Sequence, residues 1–238
     1  GKRKYLCDRG QQMSDDLKFT VQRPPAYGEL TDVLPGLFWV RLPMPAAPNH
    51  VNCWLLDNGP GWTMVDCGLN TDDTFELWDK LWRGLLRSRP LQNLAFTHAH
   101  ADHFGLAGYF VKEMKCGVRM PLAEWLSGWK MWHEREEGPD EQFASFLKRN
   151  GASEDDVARI MEAQRHQKYL GPRPPREFTR IRDGDVAAMG RREWRVITAG
   201  GHSPEHALFF CENDKILIAG DQILSHMTPS VIIPSAQP

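Results

Sequence analysis

Three histidines and an aspartate fall within six residues of the stretch Thr97-His98-Ala99-His100-Ala101-Asp102-His103-Phe104-Gly105. Neutral imidazole and carboxylate are the usual nitrogen and oxygen ligands of zinc, and a catalytic zinc takes three protein ligands and keeps one position open. Four such groups suffice for one ion and could serve two. The plain alternative is a polar surface loop with chance histidines. The whole chain of 238 residues has only nine, so three in six positions argue for a metal. A further candidate, His202, stands in the turn Gly200-Gly201-His202, straight after an apolar strand, where a side chain projects freely.

Such side chains need elements that hold them at one point. The apolar run 94–97 reads as a short buried strand, and 106–114 as a helix with Leu106, Phe110 and Met114 on one stripe. The first cluster therefore sits where a strand ends and a helix starts. Residues 37–42, 50–56 and 62–65 have strand character; the turn Asp57-Asn58-Gly59-Pro60-Gly61 joins the last two, and strands so close suggest an antiparallel meander. The third of them ends at Asp66. Residues 21–36, with their prolines, read as an irregular lead-in. Thr71, Asp72 and Asp73 predict a helix start by capping and by the helix dipole. Its apolar face carries Phe75, Trp78, Trp82, Leu85 and Leu86, and Pro90 marks the stop. Residues 117–120 form a short strand candidate. Strand character returns at 194–198, before His202, and at 207–211 and 215–219, the last ending near Asp221. Each candidate ligand lies just past a strand end.

Residues 121–170 break this pattern. Pro121 suits a first helical turn, and three helical segments follow. Trp125, Trp129 and Trp132 mark the first, Phe143, Phe146 and Leu147 the second, and Val157, Ile160 and Met161 the third, with Gly171 as a C-terminal cap. The expectation is an inserted helical cap over about 121–175; the alternative is ordinary outer-layer helices packed on the sheet. His50, Asn52, the three tryptophans, His133, His166 and Tyr169 are possible pocket residues, but core packing or solvent exposure accounts for each more simply.

Four stretches, in order, resemble the metallo-β-lactamase superfamily, the fold of glyoxalase II and many other hydrolases. His98 to His103 matches its HxHxDH signature, residues 200–206 its GHTPGH segment, Gly220-Asp221 its strand-ending GD, and Val65-Asp66-Cys67-Gly68 its VDTG strand end. The resemblance implies an α+β fold, a four-layer αββα sandwich with metals at one rim of two sheets and here a helical insert. It implies that His98, His100 and His202 hold a first ion, Asp102 and His103 a second, and that Asp221 bridges them. The ions would be one or two divalent metals: zinc, with iron or manganese as alternatives. Asp66 would support a ligand through a hydrogen bond, as ligand histidines usually require, unless it is a simple turn aspartate. His206 would have a structural or supporting role. The family supplies a last histidine to the second site from a PGHG-like segment, which the seventeen residues after Asp221 do not contain. Either the sequence lacks its natural C-terminus or the second site is incomplete, with His226 a poorly spaced substitute.

Composition bounds the function. At 41% hydrophobic and 25% charged residues the chain reads as globular, and its formal net charge of −2 gives no footprint for long nucleic acid or an anionic membrane. Five scattered cysteines without a CxxC, and no apolar leader, suggest reduced thiols and a cytoplasmic protein. Met13 is a plausible natural start. Residues 1–20 read as a leader or irregular N-terminus, and 21–238 as one metallo-β-lactamase-like domain. The expected function is a metal-dependent hydrolase of a small ester-like substrate (thioester, lactone or amide), with Asp102 catalytic and the substrate-binding residues unassigned. Thioester hydrolysis is the leading reading, although the glutathione-binding C-terminal region of glyoxalase II is not seen. The alternatives are a persulfide-dioxygenase-like oxidoreductase with one ferrous ion, a phosphodiesterase, and a metal-buffering protein.

Overall fold

Two β-sheets lie face to face in the computed structural model, which describes residues 21–45, 48–84, 86–137, 140–165, 171–224 and 227–231. The larger sheet starts as a meander. Strands β1 (Leu30–Leu34), β2 (Leu37–Pro43), β3 (His50–Asp57) and β4 (Trp62–Val65) pair antiparallel in order. Pairing then turns parallel. β4 pairs with β5 (Leu91–Ala95) after helix α1 (Asp72–Arg83). β5 pairs with β6 (Gly117–Met120) after α2 (Ala101–Phe104) and α3 (Ala107–Met114). β6 pairs with β7 (Thr179–Arg180) only after α4 (Leu122–Glu137), α5 (Glu141–Arg149) and α6 (Glu154–Arg165). The smaller sheet, β8 (Val186–Met189), β9 (Arg192–Ala199), β10 (His206–Cys211) and β11 (Ile216–Ile218), is antiparallel throughout, in the order β11-β10-β9-β8.

Period-two alternation explains the layering. Leu55, Met64 and Leu94 point to one buried cluster, shared with Trp78 of α1, Phe104 of α2 and Phe110 of α3. Their neighbours Leu56, Val65 and Ala95 point the other way, to a second cluster with Trp194, Val196, Phe209 and Ile218 of the smaller sheet. All four residues of β4 are buried, as befits a central strand covered on both faces. The result is an α+β sandwich, central sheets flanked by helices, with an inserted helical region. No helix among the described residues is long and apolar enough to cross a membrane.

Some elements differ from the sequence reading. Residues 30–34 form a strand, not an irregular lead-in: past Pro24 and Pro25 the segment hairpins onto β2 through Pro35 and Gly36, whose φ is +76°. β7, with two exposed residues, and β8, short and half exposed, carry no clear strand pattern. Helix α1 starts as predicted, with the Thr71 hydroxyl accepting the Thr74 N–H, but ends at Arg83, well before Pro90, capped by Gly84. Leu85, His166, Tyr169, His226 and residues 1–20 lie outside the described residues. Cys53, Cys67, Cys116 and Cys211 are buried free thiols.

The insert is the crossover between β6 and β7. Its tryptophans serve its own return path: Trp125 and Trp129 Nε1 both donate to the Pro175 carbonyl at 3.2 Å, and Trp125 stacks on Phe178. The returning segment presses on α3 so closely that a Cβ on Gly108 would stand 2.3 Å from the Pro172 carbonyl oxygen. His133 is exposed on α4, as expected, and Asn52 accepts from Trp39 on the sheet surface.

Candidate metal centre

The loop after β5 is built around Asp66, at the end of the neighbouring strand β4. Asp66 is 1% exposed and holds a left-handed φ of +60°, a conformation that aspartate tolerates better than most residues. Its Oδ1 accepts the Thr97 N–H at 2.9 Å. Its Oδ2 accepts the Thr97 hydroxyl at 2.7 Å and His103 Nδ1 at 2.8 Å. One carboxylate thus fixes a hydroxyl and an imidazole at once.

The Thr97 hydroxyl, donating to Asp66, is left to accept from His98 Nδ1 at 3.0 Å. That assigns the proton to Nδ1 and leaves the His98 Nε2 lone pair bare. His202 is oriented alike: its Nδ1 lies 2.9 Å from the Ser230 carbonyl, which can only accept, so its Nε2 is bare too. His98 Nε2 then faces His202 Nε2 at 3.1 Å and His100 Nδ1 at 3.0 Å. Burial, and then the charge at His103, lowers the pKa of His98 well below that of free histidine. Burial, and then His202, takes His100 down to about 4. Neutral imidazoles converging lone pairs on one point repel one another unless a cation stands between them, so the donor set fits a divalent metal.

A second group shares His98. Ligand atoms of His98, His103 and Asp221 lie within 4.8 Å of one another, as do those of His98, His100 and His202. His103 Nε2 is buried without a hydrogen bond, 3.4 Å from both Asp102 Oδ2 and Asp221 Oδ1. Burial alone would lower its pKa, but the Asp102 and Asp66 charges outweigh it and hold the pKa well above the ordinary value. A positive charge is favoured where a second cation would sit. Asp102 is pushed up by burial and pulled down further by His103, to about 2; Asp221 is lowered by the same balance. Asp221 also stands 3.6 Å from His202 Nε2, between the two groups.

Asp221 follows β11 in the 3-10 turn Gly220–Gln222. Its N–H donates to His206 Nε2 at 3.2 Å, and the His206 ring stacks on His98 with centroids 4.7 Å apart. Burial, then His103, lowers His206 to about 3, so it accepts as a neutral ring. Gly220 has φ +50°, and a Cβ there would meet His206 Cε1 at 2.6 Å. A cavity of about 830 Å³ lined by Asp57, Gly190, Arg192 and Asp214 contains none of these residues.

The metallo-β-lactamase superfamily model matches residues 46–237. The chain belongs to this superfamily. Among similar proteins, the "Probable metallo-hydrolase YqjP" of Bacillus subtilis is 24% identical over 203 residues, 82% of this chain and 59% of its own length. The "Acyl-coenzyme A thioesterase MBLAC2" of Bos taurus is 25% identical over 195 residues, 79% and 63% of the two chains. The crystal structure of a β-lactamase domain protein from Burkholderia ambifaria superposes with a TM-score of 0.74 at 31% identity, covering 91% of this chain and 64% of the other. The chain therefore spans about three fifths of the length of these relatives.

Within this metallo-β-lactamase fold, the sequence-predicted residues His98, His100, His103, His202 and Asp221 converge, with Asp102 on the rim and Asp66 and His206 in contact with them. Sequence reasoning missed Thr97, Glu124 and the Ser230 carbonyl. Thr97, a hydroxyl directly before the first histidine, was the one with a visible signal. Glu124 accepts the Ala99 N–H from 25 positions away, and Ser230 acts through its backbone.

Proposed function

We propose that the chain is the metal-bearing part of a hydrolase that cleaves a thioester. The observation that carries it is the pair of ligand groups sharing His98, with the Asp102 carboxylate beside them. His98, His100 and His202 would hold one ion; His103 and Asp221, with Asp102, would hold a second. Zinc suits these nitrogen and oxygen donors best, and iron or manganese also accept them. A divalent ion bound there supplies Lewis acidity, lowering the pKa of a water and polarising a carbonyl. The protein's own groups do the rest. Asp66 and Thr97 fix the histidine tautomers. Asp102, ionised down to about pH 2, is too weak a base to store a proton at neutral pH; its Oδ atoms instead accept a hydrogen bond from the attacking water and aim it. Support for the thioester comes from the acyl-coenzyme A thioesterase relatives, 25% identical.

The test is direct. Purified protein should carry close to stoichiometric divalent metal and release free thiol from an acyl-coenzyme A, read with a thiol-reactive dye. Asp102→Asn should keep its fold and lower kcat by roughly a hundredfold, the cost of misplacing a reacting group by about 1 Å. Wild-type turnover in that variant would remove Asp102 from the chemistry. Hydrolysis of lactones or amides without thioesters would redirect the substrate class.

A further inference from the structure

Glu124 is a buried acid to which the proposed chemistry gives no part. It lies in the first turn of α4, at the start of the insert, and is 1% exposed. Its Oε2 accepts the Ala99 N–H at 3.0 Å and its Oε1 accepts the Glu205 N–H at 2.8 Å. Ala99 lies between His98 and His100; Glu205 lies between His202 and His206. The link is returned, for Glu205 Oε2 accepts the Ala123 N–H at 2.9 Å. A carboxylate in a first helical turn ordinarily serves the N-terminal end of its own helix. This one is turned instead to two loops that follow strands of different sheets, β5 and β9.

Those two loops supply the whole three-histidine group. His98 Nε2 and His202 Nε2 face each other at 3.1 Å across 104 residues of sequence. Their separation depends on whatever ties the loops together. Without the carboxylate both N–H groups lose their acceptor, and leaving such donors unpaired inside the protein is costly. His103 and Asp221 are held differently, by Asp66 and by His206. We propose that Glu124 is a positioning residue: it sets the spacing of His98 and His100 against His202, and thereby the affinity of the three-histidine group for a divalent ion. The inference rests on the metal reading of that group.

The experiment is cobalt(II) titration of chelator-stripped full-length protein, followed by calorimetry and by the visible d–d bands, for wild type, Glu124→Gln and Glu124→Asp. The glutamine keeps one acceptor oxygen and turns an NH₂ on the other N–H, so one loop is released. The aspartate is a methylene shorter and cannot hold both loops. Each should bind the first cobalt ion about 10- to 100-fold more weakly, the usual effect of removing a group that orients metal ligands, with altered band intensities. In the metal-free protein the downfield amide proton shift of Ala99 or Glu205 should collapse. A merely structural role would lower Tm and leave cobalt affinity within about twofold of wild type; that result overturns the proposal. If Glu124→Gln does not fold, a wild-type cobalt affinity in Glu124→Asp overturns it equally. Should wild type bind cobalt no better than His98→Ala with His100→Ala, the metal reading falls and this inference with it. Equal binding by wild type and both Glu124 variants rejects this inference alone.

Discussion

Asp66 fixes one histidine directly and a second through the Thr97 hydroxyl, while burial, and after it the neighbouring rings, holds His98, His100 and His206 below the ordinary histidine pKa. This has a consequence for acid stability. His100 and His206, at about 4 and about 3, titrate near 6.5 once unfolded. Between those values the unfolded chain binds protons that the folded chain refuses, so stability rises with pH there and is lost as pH falls from about 6.5 to about 4. His103, raised by its neighbours, acts oppositely: its contribution is complete below about 6.5 and fades only as pH climbs through its folded pKa. Asp102 and Asp221, both lowered, keep theirs until pH drops below about 3.8. Metal-free protein should therefore lose several degrees of Tm between pH 6.5 and pH 4.5, and a flat profile over that interval would mean that these rings are protonated in the fold. Residue identity made this centre legible, since metal ligands are read from type and spacing. Glu124 and Ser230 were not legible, because they act on or through backbone atoms, which leave no mark in composition.

Among the elements, what positions Asp221 is a glycine. The turn after β11 needs φ +50° at Gly220 and no side chain against the His206 ring. An alanine there carries a left-handed penalty of about 1–2 kcal/mol and a clash that moves His206 or the turn. Gly220→Ala should lower Tm by several degrees and weaken the second metal ion more than the first, since the turn carries Asp221 itself but reaches the three-histidine group only through its neighbours His206 and Thr97. Equal weakening of both ions in a stepwise titration would show that the turn is not specific to Asp221. The central strands were plain from sequence because burial on one or two faces writes itself as alternation or as an apolar run; β2, β3, β4, β9 and β10 all lie within a residue or two of their expected ends. β1 was hidden between prolines that shape only its approach and its exit turn, and β7 by having just two exposed residues. The end of α1 was misplaced because Gly84 stops the helix before the proline is reached.

On the scale of the whole molecule, the insert divides into one helix tied to the histidine loops and two that are attached more loosely. Its first helix, α4, reaches the histidine loops through Glu124 and packs Gly128 against Phe104, whose ring lies in the core directly after His103. The other two helices are attached more loosely: α5 has no buried residue, and among the described side chains of α6 Val157 is the buried one. Phe143, Phe146 and Leu147 are only half covered. A connection this long between adjacent parallel strands exceeds what the crossover needs. If α5 and α6 roof the mouth of the site, they select the acyl group, whereas α4 supports the metal. Replacing residues 141–165 by a Gly-Ser linker should leave metal content near wild type and shift the ratio of kcat/KM for long against short acyl thioesters by about tenfold or more, the discrimination that a few apolar contacts provide. Extending the replacement back through α4 should release the metal as well. An unchanged chain-length ratio in the shorter deletion would mean that α5 and α6 do not face the substrate. Metal lost already in that deletion would mean that the three helices act as one support.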